Sequence, residues 1–185
     1  MNDIREEILT KATSFFMKNG YQATSTRQLA EHLDIKQPVL YYYFKNKKAL
    51  YQQVVTTYTQ YLGTALMTIS QEPLPAAKRL FLMSEFIINE ENLNLAQLMH
   101  DMQTVFKGED NKVLFAEWRH AYLQPFIMVF NDFTLANNMT AQQVTMHFMR
   151  ILTAYVSVKY VLNGEQEIRE MITIFLHGST LEARV

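Results

Sequence analysis

Apolar residues recur every three or four positions along almost the whole chain, and that spacing restricts its fold more than any other feature. Ile4, Ile8, Leu9, Ala12, Phe15 and Phe16 form the first such stripe. Glycine is scarce at five residues, which leaves little for tight hairpins to turn on. Asn19-Gly20 and Asn163-Gly164 each close a helical pattern and do not join two alternating runs. The spacing predicts an all-α chain of about nine helices: three short ones, then a longer helical bundle.

Local signals place the breaks. Asp3 can cap the first helix with Glu6 in capping-box position, and Gly20 suits the left-handed residue at its end. Ser25 and Gln28 form a second capping box, with Leu29, Ala30 and Leu33 as the buried face and Asp34 at the stop. A third helix begins at Pro38, which suits a first helical position. Asn46 can cap a fourth, from Lys47 to about Ser70, where SQEPLP at 70–75 breaks it. Helical segments are then expected at 76–91, 93–107, 111–133, 140–162 and 165–178. Pro125 should bend the third of these.

Composition narrows the function classes. There is no cysteine, which excludes disulfides and Cys-based zinc sites. The longest apolar runs, such as FIMVF at 126–130, fall far short of the ~20 residues that span a bilayer. No early stretch has the pattern of a signal peptide. The chain therefore reads as soluble and cytoplasmic, with no membrane partner. Only 19% of residues are charged, so another subunit could cover part of the surface. Residues 1–52 carry eight Lys/Arg against five Asp/Glu, and residues 53–185 nine against thirteen. A basic head on an acidic body is what a DNA-reading module on a separate regulatory body needs.

The second and third helices are joined by LDIKQ at 33–37, giving helix, tight turn, helix. Such a pair can lay its second helix in a major groove ~12 Å wide. Leu40 and Phe44 can anchor that helix from behind. Gln37, Val39, Tyr42 and Tyr43 are then left facing outward, with Tyr41 near the edge. A tyrosine can pack its ring on sugars and thymine methyls while its hydroxyl bonds a phosphate. Gln37 can pair with adenine, and Arg27 can reach guanine or a phosphate. Thr26 and Lys47 lie at helix starts, where phosphates are favoured, and Lys36, Lys45 and Lys48 add charge. The other reading of the same residues is a helix pair made only for packing.

Residues 4–50 resemble the DNA-binding domain of the TetR family of bacterial transcriptional regulators. Gly20, Tyr21, Thr24, Leu29, Ala30, Ile35, Leu40, Tyr41, Phe44, Lys47 and Leu50 follow the family pattern in order and spacing. The run QPVLYYYFKNKKAL is close to the version in its tetracycline-responsive members. The resemblance implies DNA contacts from Thr26, Arg27, Gln37, Pro38, Tyr41, Tyr42, Tyr43 and Lys47, to which Lys36 and Val39 are added as neighbours on the same face. It implies a helix-turn-helix DNA-binding domain at 1–52 and an effector-binding and dimerisation domain at 53–185. Asp34 replaces the usual Gly of the turn, Lys36 a common Ser, and Lys48 a frequent Glu.

The resemblance also implies a homodimer built from the last two long helices, with Phe148, Leu152, Tyr155, Lys159, Ile168, Ile172 and Phe175 at its interface. It implies a small-molecule effector held by the Met- and aromatic-rich helices of 76–133. Phe86, Met102, Trp118 and Tyr122 are the pocket candidates, although such a stripe is more often plain core. No cofactor or metal is implied. Glu117-x-x-His120 has the spacing of a di-iron ligand pair, but no second copy exists, and there is no P-loop or G-x-S-x-G. The expected function is a ligand-responsive repressor that binds double-stranded operator DNA and is not an enzyme. The alternative is a helical carrier or adaptor with a helix-turn-helix-like head.

Overall fold

The structure, a computed structural model, describes residues 4–90, 95–106, 108–157 and 165–180. Among these, nine α-helices follow one another with no strand: α1 (Ile4–Asn19), α2 (Thr26–His32), α3 (Gln37–Tyr43), α4 (Lys47–Ser70), α5 (Ala76–Asn89), α6 (Leu95–Val105), α7 (Glu109–Phe130), α8 (Ala141–Ser157) and α9 (Glu165–Ser179). No helix among the described residues is long and apolar enough to cross a membrane. The chain divides into two compact units, residues 1–61 with 92–118, and residues 62–91 with 119–185.

The first unit holds α1 to α3, the first part of α4, α6 and the first part of α7. Ile8, Leu9, Ala12 and Phe16 of α1 are buried with Leu29 and Ala30 of α2 and Leu40 of α3. Ile4 of the expected stripe is exposed, and Met17 is buried one turn further on. Phe15 lies at the edge, 4.7 Å from the His32 ring. Gly20 ends α1 at φ +77°, its N–H donating to the Phe16 carbonyl. The expected Asp3 cap lies outside the described residues.

The second unit is built around phenylalanines. Phe126 and Phe130 of α7, Phe148 of α8 and Phe175 of α9 meet edge-on or tilted at 5.1–6.0 Å between ring centroids. Helix α5 packs on α8 and α9, and the Arg169 guanidinium lies 4.0 Å from the Phe81 ring centre. Arg79 holds the 71–75 break by donating to the carbonyls of Ser70 and Leu74 and pairing with Asp132. Helix α7 runs as one helix through Pro125. At Gly63 of α4, an added Cβ would lie 2.8 Å from the Ala121 Cβ of α7, so these backbones approach closely.

The differences from expectation are local. Helix α5 stops at Asn89 and α7 at Phe130, each a few residues early. Within TLANNMT, Ala136–Asn138 form a 3-10 turn with Asn137 and Asn138 at φ +56° and +55°. Leu135 makes an isolated antiparallel bridge to Thr180. The end expected for the 140–162 helix lies outside the described residues.

Candidate nucleic-acid interface

The turn between α2 and α3 is set by local chemistry. Ser25 caps α2 by accepting from the Gln28 N–H, and the Gln28 side chain returns to accept from the Ser25 N–H. Asp34 adopts φ +54° and the Ile35 N–H reaches the Ala30 carbonyl, so Asp does what Gly commonly does. Lys36 precedes α3 without a side-chain cap; the helix starts at Gln37, one residue before the expected Pro38, which sits in the first turn with no N–H left to satisfy.

Helix α3 is held by one residue on its own length, Leu40, with Phe44 just past its end, each only 2% exposed. Its other face is open. Val39 is 36% exposed, Tyr41 46% and Tyr42 82%, and Pro38 is exposed beside them. Tyr43 is half-buried with its ring edge-on to Tyr42 at 5.0 Å. Gln37 and Thr26 meet across the turn: Gln37 Nε2 donates to Thr26 Oγ1 at 2.8 Å, and Thr26 Oγ1 lies 3.2 Å from the Tyr41 hydroxyl. One amide hydrogen and the amide oxygen of Gln37 remain for an outside partner. This hydrogen-bonded trio lines up residues from both helices on one surface.

The charged residues divide into free and engaged. Lys36 and Lys45 are exposed. Arg27 is exposed and pairs with Glu31 one turn on, at 3.1 Å. Lys48 lies 5.6 Å from the Phe106 ring centre. Lys47 is half-buried with its ammonium 4.0 Å above the Tyr21 ring. Burial pushes the Lys47 pKa down, and the charge of Asp101 opposes that shift. Asp101 is a buried acid of α6 that no sequence signal singled out, because Tyr51 and Tyr21, two of the residues it bonds, are 50 and 80 residues away.

The body candidates are distributed over both units. Met102 is fully buried and lies with Trp118 in the first unit, whereas Phe86 and Tyr122 lie in the second. Burial raises the Tyr122 phenol pKa. Phe86 lines an open groove of about 500 Å³ with Ile69, Leu74, Leu82 and three glutamates, Glu72, Glu85 and Glu90. Of the expected dimer residues, Phe148, Leu152, Ile168 and Ile172 are buried within their own unit. Periodicity reveals such an apolar arc but not what covers it. Tyr155 and Phe175 are half-buried and line a groove of about 510 Å³ with His147, Ile151 and Ile174. Lys159 lies outside the described residues. Glu117 and His120 are exposed on α7, and the described residues hold no cluster of three metal-ligating side chains.

Comparison with known proteins converges on the same N-terminal stretch. Residues 8–54 match the model of the bacterial regulatory proteins of the tetR family. The biofilm operon negative transcriptional regulator IcaR of Staphylococcus aureus is 33% identical over 64 residues, covering 35% of this chain and 34% of IcaR. The class C tetracycline repressor of Escherichia coli is 44% identical over 46 residues, covering 25% of this chain and 21% of the repressor. The matched stretches thus span about a third and a fifth of those relatives. Over nearly the full length, the crystal structure of AibR with isovaleryl coenzyme A and operator DNA shares the fold, with TM-score 0.72 and 14% identity over 93% of this chain and 97% of AibR. Residues 8–54, the helix-turn-helix module, are thus similar to the bacterial regulatory proteins of the tetR family, and the remainder of the chain shares the fold of such structures.

Proposed function

We propose that the protein is a ligand-responsive transcriptional repressor, acting in the cytoplasm as a homodimer on a palindromic operator. The observation that carries this reading is the outer face of α3. A seven-residue helix buries Leu40 and leaves Val39, Tyr41 and Tyr42 in solvent, beside an ordered Gln37–Thr26–Tyr41 network. Exposing this much aromatic surface has a physical rationale if a groove receives it. Gln37 would read adenine with its remaining amide hydrogen and oxygen, and Arg27 would read guanine once released from Glu31. Thr26, Lys36, Pro38, Tyr41, Tyr42, Tyr43 and Lys47 would position the module on phosphates, sugars and thymine methyls. On this reading, residues 1–52 are the reading head and 53–185 the regulatory body.

Two heads must be held at a fixed spacing to read a two-fold site, with half-sites about 34 Å apart. Helices α8 and α9 supply the pairing surface, through exposed Ile151 and Ile174 and half-buried Tyr155 and Phe175. IcaR is named a negative regulator, and AibR was crystallised with both an acyl coenzyme A and operator DNA, which favours repression released by a small molecule. Helix α4 contributes residues to both units and is the natural carrier of that signal. An effector needs to favour the non-binding geometry by only ~1.4 kcal/mol to weaken binding tenfold.

The test is selection of fragmented genomic DNA on the purified protein. The reading expects one or a few fragments to be enriched and to share a palindrome. A carrier or adaptor would enrich none at any salt concentration.

A further inference from the structure

We propose that Asp101 of α6 is a positioning residue for the phosphate contact of Lys47, acting through the turn at Tyr21. This inference deepens the regulator reading and rests on it. Asp101 is fully buried in the first unit. Its Oδ2 accepts from the Tyr21 N–H and the Tyr51 hydroxyl, each at 2.8 Å, and its Oδ1 accepts from Gln97 Nε2 at 2.8 Å. All three donors are neutral, so a buried charge depends on every one of them. The turn that carries Tyr21 therefore cannot leave α6 without exposing that charge to an unsatisfied site.

The Tyr21 ring is the platform for Lys47. It lies 5.1 Å from the Tyr51 ring and 6.4 Å from the Phe16 ring, and the Lys47 ammonium stands 4.0 Å above its centre. The turn has no slack towards α6: a Cβ on Gly20 would lie 2.7 Å from Gln97 Nε2. A lysine on a flexible four-carbon stem gains a defined place only from such a support. The charge of Asp101 also favours the protonated amine that burial disfavours. An acid remote in sequence from the helix-turn-helix thereby sets where its first α4 cation sits.

The test is a salt series of operator binding by the full chain, run where melting curves show every variant folded. Lys47→Ala should lower the slope of log affinity against log salt by ~0.9. Asp101→Ala should lower that slope similarly and weaken binding several-fold. In the double variant the two losses should not multiply. Asp101→Asn should recover most of the binding, because Gln97 can turn its amide to accept from the new N–H. If Asp101→Ala does not fold, Tyr51→Phe takes its place in the same cycle. A folded Asp101→Ala or Tyr51→Phe with the parent slope, or losses that multiply fully with Lys47→Ala, would overturn the proposal. A parent protein that prefers no duplex sequence would instead overturn the regulator reading.

Discussion

On the proposed reading, Gln37 and Lys47 would make two kinds of DNA contact, and substitution separates them. Gln37→Ala and Arg27→Ala should each weaken operator binding by ~1–3 kcal/mol and relax preference at one base position. Lys47→Ala should weaken operator and unrelated duplex alike. Competition binding against single-base-pair operator variants reads the difference. Asp34 tests the turn itself. At φ +54°, Ala lacks the short polar side chain that lets Asp tolerate this region, so Asp34→Ala should cost about 1 kcal/mol, while Asp34→Gly should not destabilise. Urea unfolding measures both. Most of this surface was legible in the sequence, because Leu40 and Phe44 fix which way the other residues of α3 point. The Gln37–Thr26 hydrogen bond and the Asp101 cluster were not, since nothing in local spacing reports contacts across the turn or to α6.

At the scale of elements, Gly63 decides how closely α4 can approach α7. Its missing Cβ leaves room for Ala121, which would otherwise stand at 2.8 Å. Ala is the better helix former by ~1 kcal/mol, yet Gly63→Ala should destabilise by ~1–3 kcal/mol, because the opposing atoms are the Cβ and backbone of Ala121, which has no flexible side chain to move aside. A fall in the denaturant midpoint at unchanged slope would show it. Helix period and capping residues gave the helix order correctly, since 3.6-residue spacing is a property of each segment alone. The 134–140 linker was less legible. Asn137 and Asn138 adopt positive φ there, and Leu135 pairs with Thr180, a contact 45 residues away that no local pattern encodes.

For the molecule as a whole, the proposed function requires a second copy. The family resemblance implied pairing through Phe148, Leu152, Tyr155, Lys159, Ile168, Ile172 and Phe175, and of these Phe148, Leu152, Ile168 and Ile172 are buried in the core of their own unit. Ile174, 74% exposed on α9, is the sharper probe. Ile174→Glu should leave the melting of the subunit fold nearly unchanged, since the side chain is already in solvent. It should shift sedimentation from dimer to monomer, and operator affinity should fall with it, because one head alone reads half a site.

The central claim is that the outer face of α3 enters the major groove of duplex DNA. The most direct measurement is dimethyl sulfate probing of guanine N7, a major-groove atom, on a genomic fragment retained by the protein. The account predicts protection in two symmetric patches about one helical turn, ~34 Å, apart, both lost together in Tyr42→Ala. Guanine N7 reactivity equal in the presence and absence of saturating protein, or protection that survives removal of the α3 tyrosines, would contradict it.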